Sequence, residues 1–456
     1  MSRLVVVSNR VALPNESRAG GLAVALQGAL EEHGGLWFGW SGKRVREASS
    51  KVHGVRSGNI GYATLDLSRR EHDGYYSGFS NRTLWPLLHF RLDLVQYSRE
   101  NLQIYLDVNA RFADALAPML REDDTLWVHD YHLFPLGAML RERGIGCRMG
   151  FFLHVPFPSS DMVAALPGHG ALFGNLSAYD LVGLQTRRDL ERLQDYTRLY
   201  GDGKVLGEGR LHARGRDFRA AAFPISIDTA GIEAQAQKSE HHPTVRRLRA
   251  SMGDRQLAIG VDRLDYSKGI VRRFQAFDHY LTTHPDHAGK VTFLQIAPSS
   301  RSDVAEYQAL RTRLEGLAGS INARHARPEW TPVRYVNRNV THDVLTGFFR
   351  AASLGLVTPL RDGMNLVAKE FVAAQDPENP GVLVLSRFAG AVYELPEALR
   401  VNPYDIDGVA EAIAVAADMP LAERRERHAS MLKTLRRHDI TAWRRGYLAA
   451  LGTASA

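Results

Sequence analysis

Arg263 and Lys268 share one short segment, Asp262-Arg263-Leu264-Asp265-Tyr266-Ser267-Lys268-Gly269, directly after the apolar run Leu257 to Val261. A planar guanidinium fork and a mobile ammonium converging there suit phosphate oxygens, above all a diphosphate leaving group whose charge grows as it departs. Salt bridges to Asp262 and Asp265 are the plain structural alternative. The lysine lacks Walker A spacing, which argues against a P-loop ATPase.

A second segment, Arg361-Asp362-Gly363-Met364-Asn365-Leu366-Val367-Ala368-Lys369-Glu370, has the pattern of a nucleotide-sugar pocket. Leu354 to Leu360 reads as a buried strand, Gly363 permits a tight turn, and strong helix formers run from Leu366 with no breaker before Pro377. The first N–H groups of that helix can hold an anion, and Glu370 one turn later can accept two hydrogen bonds from a vicinal diol such as a ribose. An ordinary strand-to-helix connection with a surface glutamate is the alternative.

Further polar residues follow other strands. Ser8-Asn9-Arg10 ends the first, and Gly20-Gly21 opens the helix-like Leu22 to Leu30, an arrangement suited to phosphate or simply to close helix packing. His129-Asp130-Tyr131-His132 and His154-Val155-Pro156-Phe157-Pro158 end two more; Asp130 can orient a sugar hydroxyl and His154 can hydrogen-bond a donor sugar, although satisfied core histidines are common. A metal site of His129, Asp130 and His132 is a poor reading, because strand alternation sends neighbours to opposite faces and no other ligand cluster is near. Trp40, Tyr76 and Trp85 can stack on a pyranose face or merely fill the core. Arg301 adds a cation after the strand Val291 to Ile296. Asp405-Ile406-Asp407-Gly408-Val409 imitates a phosphatase nucleophile loop but lacks the hydrophobic strand that must precede it. No Ser/His/Asp or Cys/His nucleophile motif is present.

The elements that must position these residues are apolar runs of strand length alternating with helix-periodic segments, the pattern of parallel sheets covered by helices. Strands are expected at Leu4 to Val7, Thr125 to Val128, Met149 to Leu153 and Leu181 to Leu184, then at Leu257 to Val261, Val291 to Ile296, Val333 to Val336, Leu354 to Val357 and Val382 to Leu385. The polar stretch Gly201 to Arg219 reads as a hairpin or excursion, and the junction between two Rossmann-like α/β domains is expected just after it, at 1–228 and 229–436. Ligands of such folds bind outside the carboxyl ends of the strands.

With 456 residues, 45% of them hydrophobic and 23% charged, the chain has the make-up of a soluble protein of more than one domain. A single cysteine, Cys147, excludes an internal disulfide and fits a reducing cytoplasm. Met1 to Arg10 reads as a first strand and not as a signal peptide, and no apolar run reaches the roughly 18 residues of a membrane span. The net charge of +7 is dispersed. Its densest cluster, Arg424, Arg425 and Arg427 with Lys433, Arg436 and Arg437, lacks interleaved aromatics, so phosphate-bearing substrates explain the charge better than nucleic acid.

Taken together, Ser8 to Arg10 with Gly20-Gly21, His129 to His132, His154 to Pro158, Val261 to Gly269 and Arg361 to Glu370 closely resemble the trehalose-6-phosphate synthases, and the resemblance covers nearly the whole chain. It implies a retaining glycosyltransferase of GT-B architecture, with two Rossmann-like domains whose parallel sheets face each other across a cleft. The implied reaction moves glucose from UDP-glucose to glucose 6-phosphate, without a cofactor or metal, and the implied partners are these small molecules alone, neither nucleic acid nor membrane. By the same resemblance Arg263 and Lys268 bind the diphosphate and Glu370 the ribose, while Gly21, His154, Asp362 and the backbone of Asn365, Leu366 and Val367 surround diphosphate and donor glucose. Arg10 and Arg301 hold the acceptor phosphate, with Trp40, Tyr76, Trp85 and Asp130 around the acceptor sugar; Asp130, His154, Arg263 and Lys268 form the catalytic set. The last helix, about 437–456, is expected to cross back to the first domain, and a homo-oligomer, dimer or tetramer, is expected. Bulky Val392 and Tyr393 depart from the small or polar residues more usual in the family. A pseudo-glycosyltransferase joining cyclitols through nitrogen, and a silent sugar-phosphate sensor, are the competing readings.

Overall fold

The computed structural model describes residues 3–14, 21–299 and 305–453. The chain divides into two compact units, Met1–Pro224 with Trp443–Ala456, and Ile225–Ala442.

The first unit is built on a ten-stranded sheet. Its strands are β1 (Leu4–Arg10), β2 (Gly35–Val45), β3 (His53–Ser57), β4 (Ile60–Ser68), β5 (Thr125–His129), β6 (Arg148–Phe152), β7 (Leu181–Leu184), β8 (Lys204–Gly207), β9 (Arg210–Ala213) and β10 (Arg216–Ala222). They lie in the order β3-β4-β2-β1-β5-β6-β7-β10-β9-β8. The central strands are parallel, and only β3 with β4, and β8, β9 and β10 with one another, pair antiparallel. The expected excursion at Gly201 to Arg219 is thus a meander that extends the sheet. Chain order reverses between β1 and β5, so the loops after these two strands splay apart and leave a crevice at their carboxyl ends. The helix Ile440–Thr453 closes this unit: Tyr447 stacks on Trp127 at 4.7 Å and its hydroxyl donates to the Phe151 carbonyl at 3.0 Å.

The second unit carries a six-stranded sheet of β11 (Gln256–Val261), β12 (Val291–Ile296), β13 (Val333–Val336), β14 (Leu354–Val357), β15 (Val382–Ser386) and β16 (Leu399–Val401). The order is β13-β12-β11-β14-β15-β16, all parallel. Every residue of β12, β14 and β15 is buried, as a parallel sheet covered on both faces requires. Phe274 and Phe277 from the helix Ile270–Thr283, Leu314 from Ala305–His325 and Ile413 from Ile406–Asp418 pack with Phe293 into one core. The order again reverses at one point, between β11 and β14, and the loops leaving those two strands are the ones that carry Arg263, Lys268 and Asp362.

Candidate active site

In the second unit the loops after β11 and β14 are tied to each other. The Lys268 ammonium meets the Asp362 carboxylate at 2.5 Å, and the Leu360 amide donates to the Ser267 carbonyl at 2.8 Å. Asp362 also accepts from the Asn365 side-chain amide at 3.0 Å. Asn365 takes a positive φ of 79° and caps the helix Leu366–Ala374 by accepting the Ala368 amide at 3.1 Å. This left-handed cap turns the start of the helix toward the carboxyl ends of the strands, where its unpaired N–H groups can receive an anion. Gly390 abuts the turn so closely that a Cβ there would stand 2.0 Å from the Gly363 carbonyl oxygen, so a larger residue would displace the loop.

Beneath the loops lies a brace that sequence reasoning did not single out. Arg273, fully buried, donates to Asp262 at 2.6 Å, to the Gln295 side chain at 2.9 Å, to the Thr358 hydroxyl at 2.9 Å and to the Lys268 carbonyl at 3.2 Å. It joins the ends of β11, β12 and β14 to the lysine loop. Burial raises the Asp262 pKa while Arg273 opposes that rise. Arg263 projects from the same loop with its side chain exposed.

Glu370 is half-buried and makes no hydrogen bond or ion pair among the described residues. Burial pushes its carboxyl up to about 7. Its neighbour Lys369 points the other way, into the Ile225 carbonyl and Glu394, each at 2.7 Å. An acceptor left without partners at the rim of the Asn365 turn is what a diol requires.

In the first unit, Asp130 follows β5 with φ 76° and ψ 166°, a backbone region used almost only by glycine. Three hydrogen bonds hold it there: its amide donates to Phe152 at 2.8 Å, its carbonyl accepts from Leu133 at 3.1 Å, and its carboxylate accepts from the His154 amide at 3.2 Å. The candidate residues Asp130 and His154 are thereby joined directly. His154 shares a hydrogen bond with His129 at 3.0 Å, and burial lowers both imidazoles, His154 to about 3. Both rings are neutral at physiological pH, so His154 can offer hydrogen bonds there but no positive charge.

The three aromatic candidates fall along one run of rings. Trp40 lies 5.8 Å from Tyr76, Tyr76 stacks on His132 at 5.9 Å, His132 touches Tyr131 at 4.0 Å, and Tyr131 meets Trp85 at 5.8 Å. Trp40 and Trp85 are almost fully buried, so their faces serve mainly as packing. Tyr76 sits in a π-helix, His72–Leu84, a form rare enough to mark a functional segment. The helix Arg99–Leu116 fixes it by close approach, with Ile104 and Asn101 packed against Gly74 and Gly78. His72, which contacts both Trp40 and Tyr76, was not singled out in the sequence, its only signal being proximity to Tyr76, and His129 was weighed there only as a metal ligand or core histidine. His129 turns to His154 while His132 faces Tyr76, so the two do not share a ligand position.

Arg10 is exposed at the end of β1, its guanidinium lying against Gly42, whose φ of 87° and missing side chain leave it room. Gly21 begins the helix Gly21–His33. Gly20, Ser300 and Arg301 lie outside the described residues. The Asp405 motif is a helix cap, accepting the Gly408 amide at 3.0 Å ahead of Ile406–Asp418. Among the described residues no group of three or more His, Cys, Asp or Glu could hold a metal ion, and no helix is long and apolar enough to cross a membrane.

The chain is similar over its length to proteins of known structure and activity. A trehalose-6-phosphate synthase of Sinorhizobium fredii is 50% identical over 460 residues, covering 100% of this chain and 99% of that one. The crystal structure of an α,α-trehalose-phosphate synthase (UDP-forming) from Burkholderia xenovorans in complex with glucose-6-phosphate matches with a TM-score of 0.95 at 50% identity, over 99% of this chain and 100% of that one. An E. coli structure bound with UDP-2-fluoro glucose matches with a TM-score of 0.95 at 47% identity, over 100% of each chain. The model of glycosyltransferase family 20 matches residues 4–453 of the 456, and the chain belongs to that family.

Proposed function

We propose that the protein transfers glucose from UDP-glucose to glucose 6-phosphate, forming α,α-trehalose 6-phosphate and UDP. The observation that carries this reading is the corner between β11 and β14, where Arg263, Lys268, a capped helix start and an unpartnered Glu370 offer partners for a diphosphate and a ribose diol. Arg263 and Lys268 neutralise the leaving diphosphate, and the start of the helix at Leu366 and Val367 takes the remaining oxygens, with Asp362 and Asn365 fixing the turn. Asp130 and His154 hydrogen-bond sugar hydroxyls. Arg10, with Arg301, binds the acceptor phosphate, and Tyr76, backed by Trp40 and Trp85, borders the acceptor ring.

In the transfer the bond from glucose C1 to the diphosphate oxygen breaks, and a bond from C1 to the acceptor's anomeric oxygen forms on the same face. The acceptor proton passes to the departing phosphate oxygen. No protein base is needed, which fits a site whose two imidazoles are made poor proton acceptors by burial. UDP release from purified protein, with and without glucose 6-phosphate, tests the reaction, with the product identified by NMR. Acceptor-dependent release of UDP and an α,α-1,1 linked disaccharide phosphate is expected; UDP binding without turnover, or a C–N linked product, overturns it.

Glu370 makes donor binding depend on pH. Only the carboxylate accepts both ribose hydroxyls, and with its pKa at about 7 the group is mostly protonated at pH 6. UDP-glucose, whose diphosphate keeps the same charge over this range, is expected to bind several-fold more tightly at about pH 8 than at about pH 6, with proton release. Because the folded pKa lies above the unfolded value of 4.5, Glu370 lowers stability as pH rises from 4.5 through 7. Glu370→Gln is therefore expected to stabilise the free protein at pH 8 by about 2–3 kcal/mol while weakening UDP-glucose binding and removing its pH dependence. Calorimetric titration in two buffers measures the binding and its proton release, and urea unfolding at pH 8 the stability; an unchanged pH profile in the variant would remove Glu370 from the ribose.

The same reading places the enzyme in the cytoplasm as a homo-oligomer. Cys147 is buried and its thiol is pushed up to about 11, unreactive and without a disulfide partner, while Leu199 and, within the edge strand β8, Leu206 expose apolar side chains, which supports self-association. Sedimentation velocity distinguishes the oligomer from a monomer.

A further inference from the structure

A cavity of about 600 Å³ opens at the amino-terminal end of the second sheet, the end opposite the Arg263 and Asp362 loops. Gln256 and Leu257, which begin β11, and Ser353, which precedes β14, are on its wall. Four arginines line it, Arg249, Arg255, Arg350 and Arg424, against two carboxylates, Glu240 and Asp376. Glu240 is already shared, accepting from Arg249 at 2.7 Å and from Arg350 at 3.1 Å, and Arg350 lies 3.8 Å from Asp376. The two shared arginines have a structural reason to be there. Each sits in the last turn of its helix, Pro243–Met252 or His342–Ala351, where the helix dipole favours a cation.

Arg255 and Arg424 have no such reason. Among the described residues the Arg255 guanidinium donates only to the Met252 and Glu329 carbonyls, at 3.3 and 2.8 Å, and that of Arg424 only to the Asn379 side-chain oxygen and the Pro380 carbonyl, at 2.8 and 2.6 Å. All of these acceptors are neutral. Arg424 moreover stands at the start of the helix Leu421–Arg437, where the dipole disfavours a cation. Burial and the adjacent Arg425 both lower its pKa. Two half-buried guanidinium groups without counter-charges, beside a helix start and in a cavity of metabolite size, form an anion receptor.

We propose that this cavity binds a small molecule carrying a phosphate dianion, free or esterified, with Arg255 and Arg424 as its counter-charges. The cavity borders the beginnings of the same strands whose far ends hold Arg263 and Asp362, and the helix bearing Glu370 ends at Ala374 beside Asp376.

Calorimetric titration of the full chain tests this at fixed ionic strength with UDP saturating, using ribose 5-phosphate and inorganic phosphate as probes. Any binding of these probes at the acceptor position is common to all variants. The wild type is expected to bind one equivalent more than the double variant Arg255→Gln/Arg424→Gln, or to bind that equivalent at least tenfold more tightly. Tighter binding of ribose 5-phosphate than of inorganic phosphate assigns the site to a phosphorylated metabolite; equal binding assigns it to the free ion. Asn379→Glu, which sets a carboxylate beside Arg424 on an exposed segment, is expected to lose the same equivalent and serves if the double variant does not fold. Equal stoichiometry and affinity in wild type and Asn379→Glu overturns the site.

Discussion

Arg263→Ala is expected to lower kcat/KM by on the order of 10²- to 10³-fold, about 3–4 kcal/mol of transition-state stabilisation. The diphosphate gains negative charge as the glycosidic bond breaks, so a guanidinium fixed next to it is worth more in the transition state than in the ground state. The other described cations of the corner are already engaged: Arg361 lies over the Phe388 ring at 5.5 Å. Lys268 is held by Asp362 at 2.5 Å, and Arg273 is enclosed by Asp262, Gln295 and Thr358. Because the Arg263 side chain is exposed, its loss is expected to leave the unfolding free energy nearly unchanged, within about 0.5 kcal/mol. Arg263→Lys keeps the charge and loses the fork, and an intermediate rate is expected from it. Steady-state UDP release and thermal unfolding of the two variants decide the matter; turnover of Arg263→Ala within threefold of wild type would remove the residue from the diphosphate.

The fold was legible where burial is symmetric. β11, β12, β14 and β15 are covered on both faces, and their sequences are nearly unbroken apolar runs bounded by polar loops. β2 and β4 were not foreseen, because both run beyond the hydrophobic centre of the sheet: β2 ends in exposed Lys43 and Arg44, and the antiparallel partner of β4, β3, is exposed throughout. β16 is three residues long with only Val401 buried, too short to give a period. The meander β8 to β10 could be read as polar hairpin sequence, yet its joining the main sheet depends on the pairing of Arg219 to Ala222 with β7, a long-range contact that no local pattern encodes.

Among the candidate residues, the placing of those directly after strands at one end of the sheet was legible because topology alone brings them there. Lys268 and Asp362 are far apart in sequence and meet because β11 and β14 are neighbours. Groups that act through others were not legible. Arg273 sits inside a helix with the spacing of any surface arginine, and only the packed structure shows that it points inward. The unusual backbone of Asp130 likewise has no sequence signature, since aspartate seldom adopts it. Val392 and Tyr393 separate on inspection: Val392 is buried, and Tyr393 stands 59% exposed at the end of the Gly390–Tyr393 turn.

Arg273 is also the residue whose loss is expected to cost most stability. Its side chain and that of Asp262 are 0% and 3% exposed, so Arg273→Met leaves a carboxylate buried without its cation. Breaking such a pair from one side costs about 3–5 kcal/mol, a large share of any domain's stability. The carboxylate escapes part of this penalty by taking up a proton, which its raised pKa already favours, so the loss is expected to be smaller at pH 5 than at pH 8. Arg273→Met/Asp262→Asn, in which neither group is charged, is expected to recover part of the stability, because the desolvation cost of the pair vanishes with it. Activity is expected to stay low even in the double variant. The guanidinium also holds the Lys268 carbonyl and the Thr358 hydroxyl, and without those bonds the lysine loop loses its fixed distance from the end of β14. Urea unfolding at the two pH values, with UDP affinity measured in parallel, separates the two roles. A single variant destabilised by less than about 1 kcal/mol would show that the brace does not hold the second unit together, and a double variant as active as wild type would show that it does not position the diphosphate corner.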